Sequence, residues 1–216
     1  MTRINCLRLF ATLGFLLANT AWCTEQPTYD LLIQNGSIVD GTGGPAYAAD
    51  IAITGGNIVK MGDLDGVKAS RVIDASGMVV APGFIDLHTH ADRNIMENPG
   101  IENYLRQGVT TILAGNCGNS PVNLEEYSQS VEKTGIALNL GMLIGHNSVR
   151  AEVMGNDNRA PTAQELTRME ALIKAAMGDG AFGMSTGLIY LPGTYSETDE
   201  VISLARVVSG EGGIYA

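Results

Sequence analysis

The stretch Val79-Val80-Ala81-Pro82-Gly83-Phe84-Ile85-Asp86-Leu87-His88-Thr89-His90 is apolar for most of its length and ends on two histidines one residue apart. A strand has a side-chain period of two, so if this run is a strand both imidazoles point to one face at its C-terminal end. Neutral imidazole is the commonest metal-ligating side chain, and a convergent pair suits one divalent ion. A His-x-His pair taken alone also fits a polar strand end. The run ahead of it is too apolar for a solvated edge, which predicts a strand buried on both faces, as in a parallel sheet.

Downstream of Gly83 the pattern alternates strand and helix. Residues 84–87 are followed by Ile101, Tyr104 and Leu105 at helical spacing, stopping at Gly108. A second strand covers 110–113, and Asn123 with Glu126 predicts a capped helix running to Val131. Residues 136–144 read as a third strand, and Thr162 with Glu165 forms a capping box ahead of Leu166, Met169, Ile173 and Met177. A short fourth strand spans 182–184, Ser196 and Asp199 open a helix ending at Gly210, and Ile214-Tyr215 starts a fifth strand. Repeated βα units mean a parallel sheet covered by helices. They predict an α/β fold in which residues 83–216 form half of a (β/α)8 TIM barrel, its first four to five strands, since a closed barrel takes about 250 residues. An open doubly wound sheet is the competing architecture, and length alone favours it.

Residues 24–82 read as short strands with turns between them. Runs at 29–34, 37–39, 51–53, 58–61, 72–73 and 78–80 are separated by Asn35-Gly36, Gly55-Gly56-Asn57 and Ala75-Ser76-Gly77, among others. This predicts a small antiparallel, β-sandwich-like module. Gly41-Thr42-Gly43-Gly44 lacks the third glycine of a dinucleotide-binding turn.

Residues 1–23 have the layout of a secretory signal peptide. Arg3 and Arg8 precede an apolar stretch, and Ala21-Trp22-Cys23 offers a cleavage point before Thr24. That stretch is too short for a comfortable membrane span. Cys23 admits a lipoprotein reading, which Trp22 disfavours. The expected location is therefore periplasmic or secreted, with no membrane association once the leader is removed. Cys117 is then the only cysteine beyond the leader, so no internal disulfide forms. The formal net charge is −10 with no cluster of Lys or Arg, which excludes nucleic acid as a partner.

The polar landmarks fall where the expected barrel strands end. His88 and His90 follow the first, Asn116-Cys117-Gly118 the second, Gly145-His146-Asn147 the third and Ser185-Thr186-Gly187 the fourth. In a barrel all four line the C-terminal face, where active sites are built.

At these residues the chain resembles a known family. Asn35-Gly36-Ser37-Ile38-Val39-Asp40-Gly41-Thr42-Gly43 and residues 81–90 resemble the opening of the amidohydrolase superfamily. Gly115-Asn116-Cys117-Gly118, residues 145–150 and residues 183–193 are similar to its D-aminoacylase branch, the N-acyl-D-amino-acid deacylases. The resemblance runs from about Tyr29 to Ala216. It implies that His88, His90 and Cys117 bind zinc, with Cys117 where a carbamylated lysine bridges in many relatives. Without the resemblance, spacing alone favours reading Cys117 as a small buried residue after a strand, and the family match reverses that reading. The resemblance further implies that Tyr190 contacts a substrate carboxylate and that His146 shapes the pocket, although a satisfied polar residue at a strand end is an equal reading of His146. Asp86 and Asp92 are candidates to orient the imidazoles, and Asp92 also reads as a solvated loop residue.

The implied reaction is zinc-dependent hydrolysis of a small-molecule N-acyl-D-amino acid to a D-amino acid and a carboxylate. In the family the aspartate base, two further metal-binding histidines and the cationic carboxylate anchors lie downstream of the matched stretch. The expectation is accordingly an incomplete, inactive fragment, open to self-association through its barrel edge. A non-catalytic zinc-binding or interaction protein built on a half barrel is the first alternative. A cyclic-amide hydrolase of the same superfamily is the second, disfavoured by the Cys117 motif.

Overall fold

The computed structural model describes residues 28–216, so the leader-like segment 1–23 lies outside the described residues. The described residues divide into two compact units that meet between Ala81 and Pro82.

The first unit is a five-stranded sheet of β1 (Tyr29–Ile38), β2 (Tyr47–Thr54), β3 (Asn57–Gly62), β4 (Ala69–Asp74) and β5 (Val79–Val80). β1 to β3 form an antiparallel meander, turned between β2 and β3 by Gly55 and Gly56, both at positive φ (58° and 77°). That is the backbone a tight two-residue hairpin demands. The expected antiparallel pairing does not extend further, because β4 and β5 both run parallel to β1. After β3 the chain carries Leu64 onto Leu32 and Ala52, all three fully buried, and then joins the opposite edge of β1 in the parallel sense. The described residues of this unit thus form one mixed sheet, without the second sheet that a sandwich-like module needs.

The second unit alternates β6 (Phe84–Asp86), α1 (Glu102–Leu105), β7 (Val109–Ala114), α2 (Leu124–Thr134), β8 (Asn139–Gly145), α3 (His146–Met154), α4 (Ala163–Gly178), β9 (Gly183–Ser185), α5 (Thr198–Gly210) and β10 (Ile214–Tyr215). Every strand pair is parallel, and the strands lie side by side in chain order from β6 to β10. A doubly wound sheet reverses its order at a switch point. There is none here, and the sheet is half of a TIM barrel. Its core joins Ala114, Ile144 and Met184 of the strands to Met169 and Ile173 of α4 and Leu204 and Val208 of α5.

Three local expectations are corrected. The apolar run 79–87 is divided as the separate spacings of 78–80 and 84–87 expect, Val79-Val80 in the first sheet and Phe84–Asp86 in the second, so the continuous strand ending on the histidines does not form. Nor is the run buried: Phe84, Ile85 and Leu87 are 64%, 63% and 66% exposed, because β6 is an edge strand paired only with β7. Ser196 does not cap α5, whose N-cap is Glu197 without a side-chain bond; the Ser196 hydroxyl donates to the Gly193 carbonyl at 2.6 Å. α3 follows β8 with no intervening loop. Gly145-His146-Asn147 has turn-like composition, which hid that helix.

The α4 start forms as expected. Thr162 Oγ1 accepts from the Glu165 backbone N–H, and Glu165 Oε2 accepts from the Thr162 N–H at 2.8 Å. Arg159 hydrogen-bonds the same carboxylate and, with the Thr162 donors, holds it well below the usual glutamate range. Thr162→Ala is expected to lower stability by about 0.5–2 kcal/mol. An unshifted urea midpoint would show that the cap contributes nothing.

Candidate metal centre

The chain turns sharply where β6 ends. Asp86 Oδ1 accepts a hydrogen bond from the His88 backbone N–H at 3.0 Å. Both histidines therefore stand beyond the strand, and a bend brings them together rather than the period of a strand. Thr89 between them is buried; its N–H donates to the Leu113 carbonyl and its own carbonyl accepts from Asn116 Nδ2, each at 3.3 Å. The two imidazoles stand nearly perpendicular with ring centroids 5.7 Å apart.

Cys117 enters from the loop after β7. Its φ of 56° is left-handed, a conformation that costs a non-glycine residue roughly 1–2 kcal/mol. It is held from both sides: Asn116 Nδ2 also donates to the Leu113 carbonyl at 2.8 Å, and the Gly118 N–H donates to Ser185 Oγ at 2.9 Å. Strain retained at such a point is typical of functional loops. The result places Cys117 Sγ 3.4 Å from His88 Nε2. One donor atom from each of His88, His90 and Cys117 lies within 4.8 Å of the others.

This donor set fits a borderline-soft divalent ion. Imidazole nitrogen and thiolate sulfur both suit zinc, and three protein ligands leave a coordination position for water or substrate. That side is open: a cavity of about 680 Å³ is lined by His90, Arg93, Cys117, Asn119 and Tyr190. Tyr190, on the loop after β9, therefore shares a cavity with two of the candidate ligands. Arg93 and Asn119 were not anticipated; loop geometry brings them in, and no spacing marks them.

The aspartates divide. The Asp86 carboxylate serves the His88 backbone rather than an imidazole. Asp92 is half-buried, and its Oδ1 has no hydrogen-bond partner among the described residues. Burial pushes its carboxyl up, opposed by its own backbone N–H and the nearby His90 charge. Tyr127 donates its hydroxyl to the Asp92 carbonyl at 3.0 Å, and burial with the charges of Asp92 and Glu97 pushes its phenol up to about 12.

His146 does not shape this cavity. It is fully buried at the start of α3, with Nε2 2.9 Å from Glu200 Oε1. Arg150, one turn on and also fully buried, pairs with the other Glu200 oxygen and donates to the Arg159 carbonyl at 2.7 Å. Burial alone raises the Glu200 carboxyl, but hydrogen bonds from His146 and Arg150 and their charges outweigh it, and the net shift is downward. A signal for this cluster was present. Glu200 shares the i, i+4, i+8 stripe of α5 with Leu204 and Val208, all three buried, and a carboxylate on an apolar stripe needs a buried partner.

The Amidohydrolase family profile matches residues 71–205. The chain belongs to the amidohydrolase family. Among its relatives it is 36% identical to the D-aminoacylase of Alcaligenes xylosoxydans xylosoxydans, across 89% of this chain and 45% of that protein. A solved N-acyl-D-glutamate deacylase from Bordetella bronchiseptica, complexed with zinc and a phosphonate inhibitor, superposes with a TM-score of 0.84 at 34% identity over 88% of this chain and 44% of that one. The L-hydantoinase of Arthrobacter aurescens reaches a TM-score of 0.57 at 19% identity, a likeness of fold alone. This amidohydrolase chain spans less than half the length of the deacylases it matches.

Proposed function

We propose that this chain is the zinc-binding half of a hydrolase that cleaves the amide bond of N-acyl-D-amino acids, releasing a D-amino acid and a carboxylate. The observation that carries the reading is the His88, His90 and Cys117 donor set opening onto a cavity shared with Tyr190. Bound there, zinc supplies Lewis acidity and a water that ionises near neutral pH. His88 and His90 would offer a ring nitrogen each, and Cys117 a thiol sulfur that would lose its proton on ligation. The Tyr190 phenol at the rim donates to the substrate carboxylate, and the Arg93 guanidinium makes that rim favourable for an anion. No carboxylate lines the cavity among the described residues, so no proton-transfer base is assigned. The leader-like residues 1–23 extend the reading to a periplasmic or secreted protein.

The test is metal content followed by a complementation assay. The purified chain is expected to retain about one zinc per molecule and to be inactive alone. Adding the separately expressed remainder of the Alcaligenes D-aminoacylase is expected to give hydrolysis of N-acetyl-D-amino acids but not of their L enantiomers. Absence of zinc, or a preference for L substrates, would overturn the reading. Zinc without D-selective turnover would instead favour a non-catalytic zinc-binding protein.

A further inference from the structure

Asn147 stands where the loops after β7, β8 and β9 meet. It is the second residue of α3 and 1% exposed. Its Nδ2 donates to the Gly187 carbonyl at 3.2 Å, in the loop that carries Tyr190. On its other side the amide presses against the residue next to Cys117: a Cβ on Gly118 would lie 2.7 Å from Asn147 Cγ and Oδ1. A Cβ on Gly193, at the far end of the Tyr190 loop, would collide with the same amide. Asn147 Oδ1 has no hydrogen-bond partner among the described residues. An unpaired buried acceptor is destabilising, so the stability of α3 does not explain this placement.

The surroundings brace the same contact. The Ser148 N–H donates to the Gly118 carbonyl at 3.2 Å, and Ser148 Oγ accepts from the Ser120 N–H at 3.0 Å. Behind them, Glu200 holds His146 and Arg150, which flank Asn147 on α3.

We propose that Asn147 is a positioning residue that wedges the Cys117 loop against the Tyr190 loop, fixing the sulfur donor relative to both imidazoles and to the substrate rim. The proposal rests on the metal centre assigned under Proposed function. Its physical content is selective. His88 and His90 are anchored through Asp86, Thr89 and Asn116, with no hydrogen bond to Asn147 among the described residues, whereas Cys117 is held left-handed in a loop that this amide braces. Losing the wedge lets that loop relax and withdraws the thiolate while the imidazoles stay in place.

The test uses the full chain loaded with Co²⁺, whose near-ultraviolet thiolate-to-cobalt band reports the sulfur ligand directly. Cys117→Ser identifies the band. Asn147→Ala is expected to weaken the band and lower cobalt affinity roughly 10- to 100-fold, the usual effect of removing a residue that supports a metal ligand, with cobalt still held by the histidines. Gly193→Ala leaves Asn147 in the chain but pushes its amide from the Tyr190 side, so it reads the wedge even if Asn147→Ala fails to fold. It is expected to weaken the same band, although residue 193 is not among the candidate ligands. Wild-type band and affinity in either folded variant would overturn the proposal. A wild-type chain that binds cobalt with no thiolate band would overturn the metal centre itself, a distinguishable failure.

Discussion

Glu200→Ala is expected to lower the unfolding free energy by about 3–5 kcal/mol, the usual cost of stripping one partner from a buried ion pair. For a chain of this size that corresponds to a fall in Tm of roughly 6–20 °C. The reason lies in what remains behind. Arg150 is fully buried and its guanidinium cannot deprotonate, so its charge stays in the interior with only the Asp157 and Arg159 carbonyls as acceptors. His146 loses one hydrogen bond. Glu200→Gln is expected to recover part of the loss, because its amide oxygen still accepts a hydrogen bond although the charge is gone.

The pH dependence follows from the lowered Glu200 carboxyl. A depressed carboxylate contributes stability that is complete above its ordinary value of 4.5 and is lost as pH falls through its lower folded value. The wild-type advantage over Glu200→Ala is therefore largest at neutral pH and shrinks only in the acid region below that ordinary value. Unfolding free energies from urea titration that differ by less than about 1 kcal/mol at pH 7 would show that the cluster is not a net stabiliser.

His88→Ala is the second large effect, and it falls on metal rather than on folding. His88 is exposed and its imidazole contacts Cys117 Sγ at 3.4 Å, so removing it opens no cavity in the core. Zinc affinity is expected to fall roughly a hundredfold or more, exceeding the loss typical of residues that only support ligands. The metal-free Tm is expected to stay put while the zinc-induced rise in Tm largely disappears, since a ligand stabilises only in proportion to its binding. Competition with a zinc chelator measures the first quantity and calorimetry the second. An unchanged zinc affinity would remove His88 from the centre.

Much of the second unit was legible because its signals are local. The Thr162–Glu165 box, the Asn123–Glu126 cap and the positive-φ glycine after Leu105 each act within a few residues. Two readings were decided only by the fold. An apolar run such as 79–87 looks the same whether the fold buries it or leaves it on an edge, and two sheets divide it. His146 read equally as a pocket residue and as a satisfied polar residue at a strand end, and only α3 beginning at that position and Glu200 arriving from α5, 54 residues on, decided for the second.

The sequence alone determined the βα rhythm and the family resemblance, and through that resemblance it pointed to His88, His90 and Cys117, because residue type and short-range periodicity are written in the chain. Tertiary structure decided the rest. Strand order ruled out a doubly wound sheet, the bend at Asp86 replaced strand periodicity as the cause of histidine convergence, and packing drew Cys117, Asn147 and Tyr190 together while sealing His146 away. Each of these depends on contacts between residues far apart in the chain, which no local pattern encodes.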